Sequence, residues 1–202
     1  AKGMKRFLVS TNATEGVKRF LVSTNTDQVR KLQKTDDASL VEPRTFISWN
    51  ANGLARRCES KADIDSLCQM LKAHDPDVIS IQEVRLCASC SDPKAKKGDG
   101  KPRNRGRPAD NTKESRSELD TVFHVLNSSL LDRYDILWSL SDWRYSGIAL
   151  LVRKGLARPV KVSYDLDGGP QHHEEGRVIL LEYPSGLHVL ATYAPNNGWP
   201  RP

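Results

Sequence analysis

Residues 46–54 read FISWNANGL and residues 75–83 read DPDVISIQE. In the first stretch an apolar, aromatic run stops abruptly at Asn50, with a second asparagine and a glycine behind it. Phe46–Trp49 predicts a short strand, and Asn52-Gly53 is a turn pair. Between the two stretches Ile64, Leu67, Cys68 and Leu71 recur at i, i+3, i+4 and i+7, which predicts an amphipathic helix over 61–74. Ser60 with Asp63 three residues later is a capping-box pattern. His74-Asp75-Pro76 ends that helix, because the residue before a proline avoids the α region. Val78–Ile81 then predicts a second strand, ending at Gln82-Glu83. A strand–helix–strand unit implies parallel strands and a right-handed crossover.

Beyond this unit the pattern is more irregular. Residues 87–116 are rich in Lys, Arg, Gly, Pro, Asp and Asn and hold almost no apolar side chain, so a disordered surface insertion is expected there. Leu119, Val122, Phe123, Leu126 and Leu130 then share one face of a helix expected at 117–131. Strands are expected at 136–140, 147–153, 159–164, 177–183 and 187–193, the last two joined by Pro184-Ser185-Gly186. Ile148–Val152 is apolar on both faces and belongs inside a sheet covered on both sides. The fold class is therefore α/β with a mixed β-sheet.

The chain has 202 residues, net charge +6 and a mean hydropathy of −0.56. No run approaches the ~18 apolar residues of a membrane helix, and the N-terminal apolar runs are shorter than the core of a secretory signal. The charge is unevenly placed. Residues 1–34 carry eight Lys/Arg against two acids, residues 87–118 carry nine against five, and the remainder is net negative. Basic arms of this kind suit a polyanion such as nucleic acid, and they also suit solubility or targeting. KRFLVSTN occurs at 5–12 and again at 18–25, a duplication too short for a solenoid. We expect residues 1–44 to be a basic disordered or targeting tail, and the folded part to begin near Thr45.

Cys87-x-x-Cys90 has half of a zinc-finger spacing, but no second pair follows at finger distance. His172-His173 are neighbours, and neighbouring residues point different ways, so they are not expected to hold a metal. The ends of the strands hold a different set. Asn50 ends the first strand, Glu83 the second, and Tyr193-Ala194-Pro195-Asn196 the last, while Glu175 could meet the same edge if its strand runs antiparallel. One carboxylate, several amides and a phenol form a hard-oxygen environment suited to Mg²⁺ and a phosphate ester.

Five segments resemble, in order, the motifs of the exonuclease III-like apurinic/apyrimidinic endonucleases of the endonuclease/exonuclease/phosphatase superfamily. They are Ser48–Leu54, Asp75–Glu83, Tyr145–Leu151, Glu175–Ile179 with its Glu-Gly-Arg, and Thr192–Asn196. The resemblance implies Mg²⁺-dependent hydrolysis (Mn²⁺ substituting) of the DNA backbone on the 5′ side of an abasic site. It implies that Glu83 binds the metal with Asn50 and Asn52 beside it. Tyr193, Asn50 and Asn196 would act at the scissile phosphate. Tyr145, Arg177 and Arg56 or Arg57 would touch DNA, with Glu175 in support. The implied partner is double-stranded DNA with abasic sites. A monomer without membrane contact is expected, in the nucleus with the mitochondrion as a further address.

Trp199 stands where the family commonly has a basic residue, and the 87–116 insertion is longer than the family's usual loop. The family's later motifs, Gly-Asp-x-Asn and Ser-Asp-His, do not occur before Pro202. The expectation is an N-terminal half of a four-layer α/β sandwich, lacking the second sheet, in an incomplete domain inactive by itself. Alternatives are a mobile-element endonuclease that cuts undamaged DNA and a non-catalytic nucleic-acid-binding remnant.

Overall fold

The computed structural model describes residues 7–11, 41–92, 94–96, 98–166 and 174–194. The expected strand–helix–strand unit is its centre. Strand β1 (Phe7–Thr11) runs antiparallel beside β2 (Thr45–Asn50). After a short α1 (Leu54–Cys58) comes α2 (Lys61–His74), then β3 (Val78–Gln82) parallel to β2. Ser60 caps α2 by accepting from Asp63 N, 3.3 Å away. Asp75 ends the helix in the left-handed region, with φ 40°. The same turn is pinned from below: Asp77 Oδ2 accepts from Arg44 N at 2.7 Å and Thr45 N at 3.1 Å, and Arg153 bonds Asp75.

Strands β4 (Ala88–Ser89) and β5 (Asn104–Pro108) pair in a small two-stranded sheet. Helix α3 (Lys113–Ser128) and a 3₁₀ turn (Leu130–Arg133) follow. Strand β6 (Tyr134–Ser139) and β7 (Ile148–Arg153) complete a mixed five-stranded sheet in the order β1-β2-β3-β7-β6. Strands β8 (Lys161–Ser163), β9 (Val178–Glu182) and β10 (His188–Thr192) form a second, antiparallel sheet in the order β10-β9-β8.

Alternation along the strands divides the core in two. Ile47, Trp49, Ile79, Ile81, Ala149 and Leu151 point to the helices and meet Leu67, Leu71, Val122 and Leu126. Val78, Ile148, Leu150 and Val152 point the other way and meet Ile179, Leu181 and Ala191 of the second sheet. Period-two side chains on a strand covered on both faces produce this division, and β7 is buried from Ile148 to Val152.

Several expectations change. The second sheet, expected to be missing, is present as three strands that close over β7, giving three layers among the described residues. Ahead of Thr45, the Val41 carbonyl already packs into the fold, accepting from Ala157 N at 3.1 Å. Residues 7–11 of the expected tail form an edge strand; the second repeat copy lies outside the described residues. The described residues of the 87–116 insertion are folded rather than disordered, and α3 starts at Lys113, capped by Thr112, rather than at 117. Ion pairs replace an apolar core in the insertion: Lys101–Asp92 at 2.6 Å, Arg103–Asp99 at 3.0 Å and Arg105–Asp142 at 2.7 Å, with both arginine stems buried. No described helix is long and apolar enough to cross a membrane.

Candidate active site

The site forms where β2 and β3 end side by side. Their carboxyl ends stay zipped beyond the sheet: Ala51 N donates to Gln82 O, Gly53 N to Glu83 O and Leu54 N to Val84 O, at 2.8–3.0 Å. Asn50 Nδ2 donates to Glu83 Oε1 at 2.8 Å, while Asn50 Oδ1 accepts from Asn52 N at 3.0 Å. One amide therefore fixes the turn and the carboxylate together. The backbone is bent sharply there, with Asn52 at φ 51°, Glu83 at 50° and Arg85 at 54°. Non-glycine residues in this region are uncommon and gather at functional sites.

Arg85 was not singled out by the sequence, and it bonds Glu83 Oε2 at 2.6 Å. Only its position two residues after the strand-end carboxylate could have signalled it. Burial works against the charge on Glu83, whose side chain is 15% exposed, but the Asn50 amide and the Arg85 guanidinium outweigh it. The carboxyl is held below its usual range. The Tyr193 hydroxyl lies against the same carboxylate; burial and then the Glu83 charge push that phenol up, so it stays protonated at neutral pH.

The loop from Leu140 to Gly147 supplies the next wall. Val84 N donates to Gly147 O at 3.1 Å and Arg85 N to Ser146 O at 3.0 Å. Gly147 is required here: a Cβ would lie 2.7 Å from Val84 Cγ2, at φ +86°. Ser146 Oγ donates to Glu175 O, which fastens this loop to the Glu-Gly-Arg turn. Arg177, nearly buried, bonds the Glu175 carboxylate. Its guanidinium lies between two rings, 5.4 Å from the Tyr145 centroid and 5.3 Å from the Tyr193 centroid. Tyr193 N also donates to Arg177 O at 3.0 Å. Spacing in sequence gives no hint of this stack, because its three members come from separate segments.

The structure thus brings together Asn50, Asn52, Glu83, Glu175, Arg177, Tyr145 and Tyr193. Asn196, Trp199, His172 and His173 lie outside the described residues. Arg56 is exposed on α1, whereas Arg57 turns inward, its Nε donating to Ala51 O at 2.7 Å and its NH1 pairing with Asp63 at 3.1 Å. Arg57 is thus a clamp on the first turn rather than a residue free to meet a ligand. Cys87 and Cys90 are free thiols, and among the described residues no group of three or more His, Cys, Asp or Glu side chains could hold a metal. A cation here would rest on one carboxylate, amide oxygens and water, a donor set that suits a hard ion.

The model of the Endonuclease/Exonuclease/phosphatase family matches residues 47–201. A DNA-(apurinic or apyrimidinic site) endonuclease of Arabidopsis thaliana is 42% identical over 159 residues, covering 78% of this chain and 41% of the relative. One of Plasmodium falciparum (isolate 3D7) is 32% identical over 183 residues, covering 86% of this chain and 28% of the relative. The crystal structure of the AP endonuclease LMAP from Leishmania major aligns with 91% of this chain and 47% of its own, at 21% identity and a TM-score of 0.44. The chain spans less than half the length of these proteins.

Proposed function

Because the chain belongs to the Endonuclease/Exonuclease/phosphatase family, we propose that it carries the first part of the active site of a DNA-repair phosphodiesterase acting 5′ to abasic sites. The observation that carries this reading is the Asn50–Glu83–Tyr193 cluster, with Arg177 stacked between Tyr145 and Tyr193. The names of its curated relatives support the lesion. The cluster favours this reading over a purely basic nucleic-acid-binding remnant, because a non-catalytic surface has no need of a strained, hydrogen-bonded carboxylate.

Each residue has work to do on a phosphodiester. Asn50 and Arg85 keep Glu83 ionised and fix its direction. Tyr193, kept protonated, donates to a non-bridging phosphate oxygen, where charge grows as the bond breaks. Arg177 holds both phenols in place and adds positive charge near the backbone, with Tyr145 on the outer side. Glu83 with the amide oxygens of Asn50 and Asn52 would hold Mg²⁺, or Mn²⁺ in its place, and the ion would neutralise charge on the phosphate. Asn196 is proposed to support Tyr193. Arg56, exposed on α1, and the basic arms add sequence-independent, salt-sensitive affinity. The protein is proposed to work as a monomer in the nucleus, with the mitochondrion as a further compartment.

The test uses the full-length polypeptide with abasic and intact duplexes of one sequence, with and without Mg²⁺. The expected result is Mg²⁺-dependent incision of the abasic duplex alone, lost in Tyr193→Phe by about 10²-fold. Equal cutting of both duplexes would favour a mobile-element type of nuclease. Binding without cutting would favour the non-catalytic alternative.

A further inference from the structure

The folded insertion is not used by the cluster above, yet it is built against it. Ala88 N donates to Ser141 O at 2.9 Å, and Leu140 N donates to Arg105 O at 3.1 Å. The Arg105 guanidinium reaches Leu140 O at 3.2 Å, Glu174 O at 2.7 Å and Asp142 at 2.7 Å. The insertion is therefore fastened to the two segments that carry Tyr145 and Arg177.

Between the insertion, the start of α3 and the 141–144 loop lies a cavity of about 240 Å³, whose walls include Arg103, Asn111, Glu114, Asp142 and Trp143. Trp143 is 51% exposed, two residues from the equally exposed Tyr145. A loose loop is not the reason. Tyr145 N donates to Trp143 O at 2.6 Å, and Ser141 Oγ lies 2.6 Å from both the Trp143 and Tyr145 carbonyl oxygens. A locked backbone thus holds a large apolar ring in water, beside a segment whose nine basic and five acidic residues give it a net charge of +4.

We propose that Trp143 and this cavity form a second nucleotide site, which takes an unpaired base from the DNA strand held at Glu83 and Tyr193. The proposal rests on the phosphodiesterase reading. Two arginines, Arg103 and Arg144, and two carboxylates, Glu114 and Asp142, line the cavity, and Asp142 is already paired with Arg105, so the walls carry no positive excess to draw a phosphate inside and suit a neutral base. The indole offers it a stacking face and Asn111 an amide for its edge. The surrounding basic residues suit the backbone on either side, continuous with the site next door.

The experiment places 2-aminopurine, one position at a time, around the abasic site and titrates each duplex with full-length wild-type, Trp143→Ala and Trp143→Phe protein in EDTA, where incision is blocked. In wild type, the probe at one position near the lesion should be quenched by stacking on protein. Trp143→Ala should lose that signal and bind about 5- to 100-fold more weakly with an unchanged salt slope, while Trp143→Phe should retain most of both. Wild-type affinity and signal in Trp143→Ala would overturn the inference alone, as would Trp143→Phe behaving like Trp143→Ala, which marks a merely structural role. Failure of the wild type to bind the duplex would overturn this inference and the phosphodiesterase reading together.

Discussion

Replacing Gly176 by alanine tests how the Glu-Gly-Arg turn is locked to the loop that carries Tyr145. Gly176 has φ +64°, and an added Cβ would lie 2.7 Å from the Leu140 carbonyl carbon and 2.8 Å from both Ser139 O and Ser141 N. All three atoms are backbone at the end of β6, so no side chain can swing aside. The left-handed conformation alone costs alanine about 1 kcal/mol, and forced overpacking adds about 1–3 kcal/mol. The sum, about 2–4 kcal/mol, is a large share of a domain's usual ~5–15 kcal/mol. Gly186 supplies the control, with φ +89° and nothing within 4 Å of its added Cβ. Gly186→Ala should lose only the conformational part, about 1 kcal/mol. In urea, with a slope near 2 kcal/mol/M, the midpoints should fall by about 1–2 M and about 0.5 M respectively. Equal shifts in the two variants would refute the clash and leave the turn's packing against β6 without energetic weight.

Further consequences follow from the same contacts. Asp77→Ala removes the acceptor of the Arg44 and Thr45 amides and a partner of Arg153, and should cost about 2–4 kcal/mol by urea unfolding. Arg177→Lys keeps the charge but loses the planar face between two rings; incision should fall about 5- to 100-fold, and a wild-type rate would remove the stack from the account. Glu83 has a folded pKa below its unfolded value, so its stabilisation is present above the unfolded carboxylate pKa of about 4.3 and is lost as pH falls through the folded value. The stability gap between wild type and Glu83→Gln should therefore shrink in acid, and a gap that widens there would contradict it. Burial pushes the Cys58 thiol up to about 12, so it should resist alkylation at pH 8 until the chain is unfolded, as peptide mapping of labelled protein would show.

The centre of the fold was legible because its signals are local. The i, i+3, i+4, i+7 face of α2, its Ser60 cap and the proline after it fix one helix between two apolar runs, and that leaves parallel pairing of β2 and β3. The β9–β10 hairpin followed from Pro184-Ser185-Gly186 in the same way. The insertion was illegible because arginine stems and carboxylates pack it, and these carry no periodic apolar signal. For Arg57, a sequence shows the charge but not its direction, and the structure spends it on Ala51 O and Asp63. Asn50 and Glu83 were found as strand ends. Arg85 was not, because a charge two residues past the strand end does not show that it turns back onto Glu83, and neither was the Tyr145–Arg177–Tyr193 stack, whose contacts join segments far apart in the chain. The three-stranded second sheet was missed because the resemblance was expected to stop short of it, although its strands had each been expected singly.

The most direct test of the central claim is single-turnover incision of an abasic duplex in Mg²⁺ by the full-length polypeptide, comparing wild type with Glu83→Gln. Glutamine keeps the shape and a hydrogen bond to Asn50 but removes the charge that would hold the cation. The account predicts a rate at least about 10²-fold lower in the variant, with duplex binding in EDTA retained. Incision by Glu83→Gln at the wild-type rate would contradict it.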